Sequence, residues 1–194
     1  MGKIFCLVGK SASGKDTIYK NITEKYEDML EKIVIGTTRP MRTGETNGVD
    51  YYFFSDEELE KLEKKGKVIE KRCYNTMQGI WSYFTLAFDI CENKDYIIIS
   101  TLEGAHSITN FYGEDKVCVV YLKIDDRERL LRCIDRESKQ TTPDYSEVCR
   151  RFIADQNDFS DKKLAEFNNL CFIDSSKSLD DCVEQWSKIY DEQK

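Results

Sequence analysis

The residues Gly9-Lys10-Ser11-Ala12-Ser13-Gly14-Lys15 fit the first seven positions of the pattern G-x-x-x-x-G-K-[ST]. Glycines at the two ends of such a run let backbone N–H groups turn inward on an anion. A helix that starts where the run ends adds its positive dipole end. Lys15 brings a mobile charge to the outer phosphates of a nucleoside triphosphate. The predicted phosphate-holding set is therefore Gly9, Ser11, Ala12, Ser13, Gly14, Lys15, Asp16 and Thr17. Asp16 stands where the pattern asks for a hydroxyl to meet Mg2+. Successive helical residues point about 100° apart, so Thr17 cannot take over that place. A carboxylate is a good magnesium ligand, directly or through water, which makes Asp16 the candidate metal residue.

Two further groups of cations could meet phosphate. Arg39 and Arg42, with Tyr51, could clamp an anion by charge-assisted bonds, and Glu45 could hold one arginine in place. The same segment taken alone also fits a charged surface loop. Arg132 and Arg136 are spaced to share one helix face, and Arg150 and Arg151 follow after a polar stretch. The alternative there is a solvated face paired with Asp126, Glu128, Asp135 and Glu137. Arg127 and Arg129 read as surface.

These groups need a frame. Strand-like apolar runs fall at 3–8, 32–35, 51–54, 68–70, 96–99, 117–124 and 171–173. Helical patterns fall at 14–26, 103–111, 125–135, 146–159 and 179–193. Ser55 with Glu58 is a capping box for another helix ending near Lys65. Residues 36–50 read as a polar loop, 74–88 have no clear pattern, and 136–145 break the helical pattern. Strands alternating with helices predict an α/β fold with a mostly parallel sheet. The phosphate loop then lies between the first strand and the first helix, as its chemistry requires.

Composition narrows the class. The chain has 194 residues, enough for one domain with a full core. Lys and Arg number 29 against 36 Asp and Glu, a net charge of −7, which argues against binding a nucleic-acid polymer. No apolar run approaches the ~18 residues that span a bilayer, so no membrane association is expected. The eight cysteines form no Cys-x-x-Cys pair and fit reduced thiols in a cytoplasmic protein. His106 is the single histidine and receives no role. Nothing in the pattern sets an oligomeric state.

After the phosphate loop comes Thr37-Thr38-Arg39-Pro40-Met41-Arg42-Thr43-Gly44-Glu45-Thr46-Asn47-Gly48-Val49-Asp50-Tyr51-Tyr52-Phe53. Together the two segments resemble the guanylate kinase family, which shows T-T-R-x-P-R-x-G-E-x-x-G-x-D-Y-x-F after such a loop. The proline arrives one position early, at Pro40. The resemblance covers most of the chain. It implies a P-loop core in one domain, with a monophosphate-binding insert at about 37–88 and an arginine-bearing lid at about 132–151. It implies ATP-dependent phosphoryl transfer to GMP, with Mg2+ accompanying ATP. Arg39, Arg42 and Tyr51 would hold the GMP phosphate.

Glu70, in Val68-Ile69-Glu70, matches the family's F-I-E and would recognise guanine. Guanine offers N1–H and N2–H as paired donors to a carboxylate, whereas adenine N1 carries no proton. A solvated strand-end glutamate is the other reading. Trp81-Ser82-Tyr83-Phe84-Thr85 matches the family's Y-Y-G-[ST] only with a few inserted residues. That match implies Tyr83 on the phosphate and Thr85 on the base, and Tyr83 serves equally as a packing aromatic. Arg132, Arg136 and Arg151 would surround the transferring group beside Lys15. No general base is needed, because the acceptor is already an anionic oxygen.

The chain departs from the family at three further places. Ile35 stands where a base-reading Ser is usual, Thr101 where a turn Asp is usual, and Asp174-Ser175-Ser176 where an Asn lies next to the adenine. Asp16 could compensate for the lost turn acid. Two other readings stay open. One is a kinase for another small phosphate ester, such as a sugar bisphosphate, a group that also has Asp after the P-loop lysine. The other is a non-catalytic module that binds phosphorylated peptide, which predicts a decayed phosphate loop.

Overall fold

The computed structural model describes residues 2–76 and 79–194. Strand β1 (Ile4–Val8) is buried at every position, because both of its faces are covered. Phe5 and Leu7 pack with Ile18 and Ile22 of α1 (Lys15–Lys25) and with Trp186 and Tyr190 of α7 (Leu179–Glu192). Ile4, Cys6 and Val8 point the other way, toward Ala105 and Ile108 of α3 (Leu102–Tyr112). The period of two along the strand thus divides the core into two layers.

The main sheet has five parallel strands in the order β2 (Leu30–Lys32), β7 (Asp95–Ile99), β1, β8 (Val117–Lys123), β9 (Leu170–Asp174). β1 sits between two strands that follow it far along the chain. Such a reversal of strand order opens a crevice beyond the carboxyl ends of the strands. The phosphate loop leaves β1 into that crevice.

A second sheet orders β4 (Tyr52–Phe53), β3 (Gly36–Thr37), β6 (Gly79–Leu86) and β5 (Val68–Thr76). β5 and β6 are antiparallel, and Glu70, Arg72 and Tyr74 lie opposite Thr85, Tyr83 and Trp81. Helix α2 (Asp56–Lys64) begins in the predicted capping box of Ser55 and Glu58. Helices α4 (Asp126–Ser138), α5 (Tyr145–Asp158) and α6 (Asp161–Leu164) lie between β8 and β9 in the chain.

Several local expectations are corrected. The strand expected at 32–35 ends at Lys32; Ile33 keeps one ladder bond to Ile97, and Ile35 instead accepts from Tyr52 of the second sheet. The chain crosses between sheets there, so its apolar residues serve both. Residues 36–37 of the expected loop form a strand, where the Phe84 ring comes within 2.4 Å of any Cβ at Gly36. The unplaced stretch 74–88 is mostly the β5–β6 pair, with Met77 and Gln78 outside the described residues. Helix α4 continues through Arg136 to Ser138 rather than stopping at 135. The short α6 carries no pattern that a sequence window would show. Among the described residues no helix is long and apolar enough to cross a membrane. The eight cysteines are free thiols.

Candidate active site

The phosphate loop turns on two left-handed residues. Gly14 has φ +85° and caps α1. Ala12 has φ +61° and is the one non-glycine with positive φ among the described residues. That conformation costs an L-residue about 1 kcal/mol, and such strain gathers where a loop must hold a ligand. Lys15 curls back so that its ammonium donates to the carbonyls of Gly9 and Lys10. Burial draws its pKa below the ordinary lysine value; Arg151 and Arg136 add to that, while Asp16 and Asp155 oppose it.

The loop is fastened to α4 and α5. The Ser11 N–H donates to Asp155 at 2.9 Å, and the Lys10 ammonium donates to Gln156 at 2.8 Å and Asp126 at 3.3 Å. Arg129, expected at the surface, is 0% exposed. It donates to Asp126 at 2.7 Å and Asp155 at 3.0 Å, and its guanidinium lies 4.0 Å from the Phe152 ring centre. A charged helix residue reads as solvated until a second helix supplies a carboxylate and a ring to cover it. Burial alone would raise the Asp126 carboxyl; hydrogen bonds from Arg129 and Gln156, with the charge of Lys10, bring it down to about 2.

Two cavities meet at the loop. The first, about 1210 Å³, runs from Gly9, Ser11, Ala12, Lys15 and Asp16 to Arg136, Arg150 and Arg151. The second, about 830 Å³, is lined by Ile35, Tyr51, Trp81 and Tyr83. Both share Lys15, Asp16, Arg72, Tyr74, Ser100 and Thr101 as lining. A ligand in each would therefore meet its neighbour across that wall. Ser13 is buried behind the loop, and Thr17 is exposed on α1, outside both linings. Arg132 is set apart from Arg136 and Arg151: it pairs with Glu128 and donates to the Ser175 carbonyl at 3.3 Å. Beside it, Asp174 accepts from the Ser176 amide and hydroxyl.

The predicted clamp comes together around Arg39, which is 3% exposed. Its two terminal nitrogens donate to the two Glu45 oxygens at 3.0 and 2.7 Å. Its guanidinium lies 5.3 Å from the Tyr51 ring and 5.6 Å from the Phe53 ring. Tyr83 meets Tyr51 edge-on at 5.8 Å. Hydrogen bonding from Arg39, then from the Arg42 amide, holds Glu45 below the usual glutamate range. Tyr51 and Tyr83 face the second cavity, whereas the Arg42 side chain is exposed outside both linings.

Glu70 and Thr85 are both buried, and the Thr85 hydroxyl donates to Glu70 Oε1 at 2.7 Å. Arg72 donates from Nε to Oε2 at 3.1 Å and from Nη2 to Oε1 at 3.3 Å. Sequence reasoning passed over Arg72. The signal was the period-two face of β5, which puts Glu70, Arg72 and Tyr74 on one side. At the end of β7, Thr101 caps α3 by accepting from the Gly104 N–H at 3.0 Å. Ser100 carries a buried hydroxyl without a partner among the described residues. No group of three or more His, Cys, Asp or Glu among the described residues could hold a metal by itself.

The family model described as guanylate kinase matches residues 1–156. The guanylate kinase of Mycoplasma pneumoniae is 29% identical over 181 residues, covering 85% of this chain and 73% of that protein. That of Malacoplasma penetrans is 31% identical over 145 residues, covering 72% of each. The crystal structure of guanylate kinase from Anaplasma phagocytophilum shares the fold, with a TM-score of 0.65 at 18% identity over 99% of this chain and 86% of that one. The chain belongs to the guanylate kinase family of nucleoside monophosphate kinases.

Proposed function

We propose that this protein transfers the terminal phosphoryl group of ATP to GMP. The observation that carries the reading is the wall shared by the two cavities, with the phosphate loop on one side and Tyr51 and Tyr83 on the other, Tyr51 packed against the buried Arg39. ATP phosphates take the loop amides and the Lys15 ammonium. The GMP phosphate takes Tyr51, Tyr83 and the arginine pair, with Glu45 fixing the Arg39 fork. Glu70 and Thr85 read the base.

The whole chain acts as one unit in this reading, with 37–88 holding the monophosphate and 132–151 serving as the lid. Arg136 and Arg151 offset charge on the transferring group, Arg132 reaches it when its segment closes, and Arg42 closes onto the GMP phosphate. Closure excludes water and so limits wasteful hydrolysis.

The residues present fit a magnesium ion that arrives with ATP. Mg2+ is commonly held by one or two carboxylates plus substrate phosphates rather than by a protein cage. Asp16 is such a carboxylate, on the shared wall beside the unpartnered hydroxyl of Ser100. Bound there, the ion would neutralise phosphate charge. The free thiols suit a reducing, cytoplasmic setting.

The test is a coupled assay of ADP release with ATP and Mg2+ against GMP, dGMP, AMP, CMP, UMP and no acceptor. Turnover with GMP well above AMP is expected. ATP binding without turnover on any of these acceptors would overturn the reading.

A further inference from the structure

The carboxylate that would read guanine is already occupied. A carboxylate accepts at about four lone-pair positions, two on each oxygen. Glu70 Oε1 accepts from both Thr85 and Arg72, and Oε2 accepts from Arg72. Guanine needs one acceptor on each oxygen, side by side, for N1–H and N2–H. Oε1 has no position left while the ion pair stands. Arg72, moreover, lines both cavities, whereas Glu70 lines neither. The guanidinium is therefore the group that an incoming base meets first.

We propose that Arg72 is an internal competitor for the base-reading carboxylate, one that guanine must displace and that sets how tightly the acceptor binds. The inference rests on the reading of Glu70 given above. Arg72 presents to Glu70 what guanine presents: two adjacent N–H donors in a plane. A base with that same pair can exchange with it. A base without the pair, such as adenine, leaves the ion pair shut. Displacement has room, because the Arg72 side chain is 21% exposed and borders open volume on both sides. The device lowers affinity for the correct acceptor, since only the fraction of molecules with Glu70 uncovered can bind it.

The test compares wild type with Arg72→Met, which keeps the stem and removes every donor, and with Arg72→Lys, which keeps the charge and loses the fork. A partly exposed ion pair is worth a few-fold in an equilibrium. The KM for GMP should fall about five-fold in Arg72→Met and by less in Arg72→Lys. The change should sit in KM for GMP more than in kcat, with KM for ATP unmoved and AMP still unused. An unmoved ATP constant also shows that each variant is folded. A KM for GMP that rises would mean that Arg72 binds the nucleotide directly, and one that stays fixed would mean that the pair is a spectator; either overturns the proposal. Wild type that turns over no GMP would instead defeat the reading of the site itself, and this inference with it.

Discussion

The Asp155 carboxylate accepts a hydrogen bond from the Ser11 N–H at 2.9 Å, which ties helix α5 to the phosphate loop. The same oxygen accepts from the buried Arg129 at 3.0 Å. Arg129 thus links the loop, α4 and α5 in one network. Movement of the helix that carries Arg151, as in lid closure, is therefore coupled to the loop that carries Lys15.

Arg129→Met should be strongly destabilising. It leaves Asp155 without its ion-pair partner and Asp126 with Lys10 alone, and breaking a buried ion pair from one side costs about 3 kcal/mol. For a chain of this size that is a fall of roughly 6–12 °C in Tm. Thermal unfolding checks it, and a fall below about 1 kcal/mol would show that the network is dispensable.

The same variant should change the acid response. Asp126 sits at about 2, against an ordinary value of 3.8. A depressed carboxyl adds stability that is complete above the ordinary value and is lost as pH falls toward the folded one. The gap in stability between wild type and Arg129→Met should therefore narrow between pH 4 and pH 2. Urea unfolding at a series of pH values measures it; a gap that widens on acidification would contradict the assignment.

Ala12 holds the left-handed turn of the phosphate loop without glycine's freedom. Ala12→Gly relieves steric cost and adds disorder to the unfolded chain, so stability should stay within about 0.5 kcal/mol. Ala12→Val puts a β-branched residue at positive φ and should weaken ATP binding at least about ten-fold. Calorimetric titration with ATP reads both. Equal affinity in the valine variant would mean that the turn is not needed for binding.

Asp16→Ser restores the hydroxyl that the motif asks for, yet should damage this protein. With Thr101 serving as a helix cap at the place of the usual acid, Asp16 is left as the carboxylate on the shared wall. Turnover should fall at least about ten-fold, and the Mg2+ concentration for half-maximal activity should rise. A magnesium titration of initial rates checks both. Faster turnover in the variant would sink the compensating role of Asp16.

Local chemistry was legible in the sequence, and tertiary pairing was not. Gly9, Gly14 and Lys15 encode their loop by spacing alone, and Ser55 with Glu58 encodes a helix start that the structure reproduces. The alternating order of strands and helices was enough for the parallel sheet. Arg129 was misread because its covering groups, Phe152 and Asp155, come from another helix. The β5–β6 pair was opaque because its residues mix aromatic, polar and charged types on both faces, with no run that marks a core strand. Arg72 was missed because an arginine near a glutamate reads as a solvated pair until the burial of Glu70 is known.

Selection of guanine falls to Glu70, so the decisive measurement is kcat/KM for GMP and AMP in wild type and Glu70→Gln. Two charge-assisted bonds to the base are worth about 3 kcal/mol together. GMP turnover should fall about 100-fold in the variant, with AMP no better used than before. Glu70→Gln turning over GMP at the wild-type rate, or wild type using AMP as readily as GMP, would contradict it.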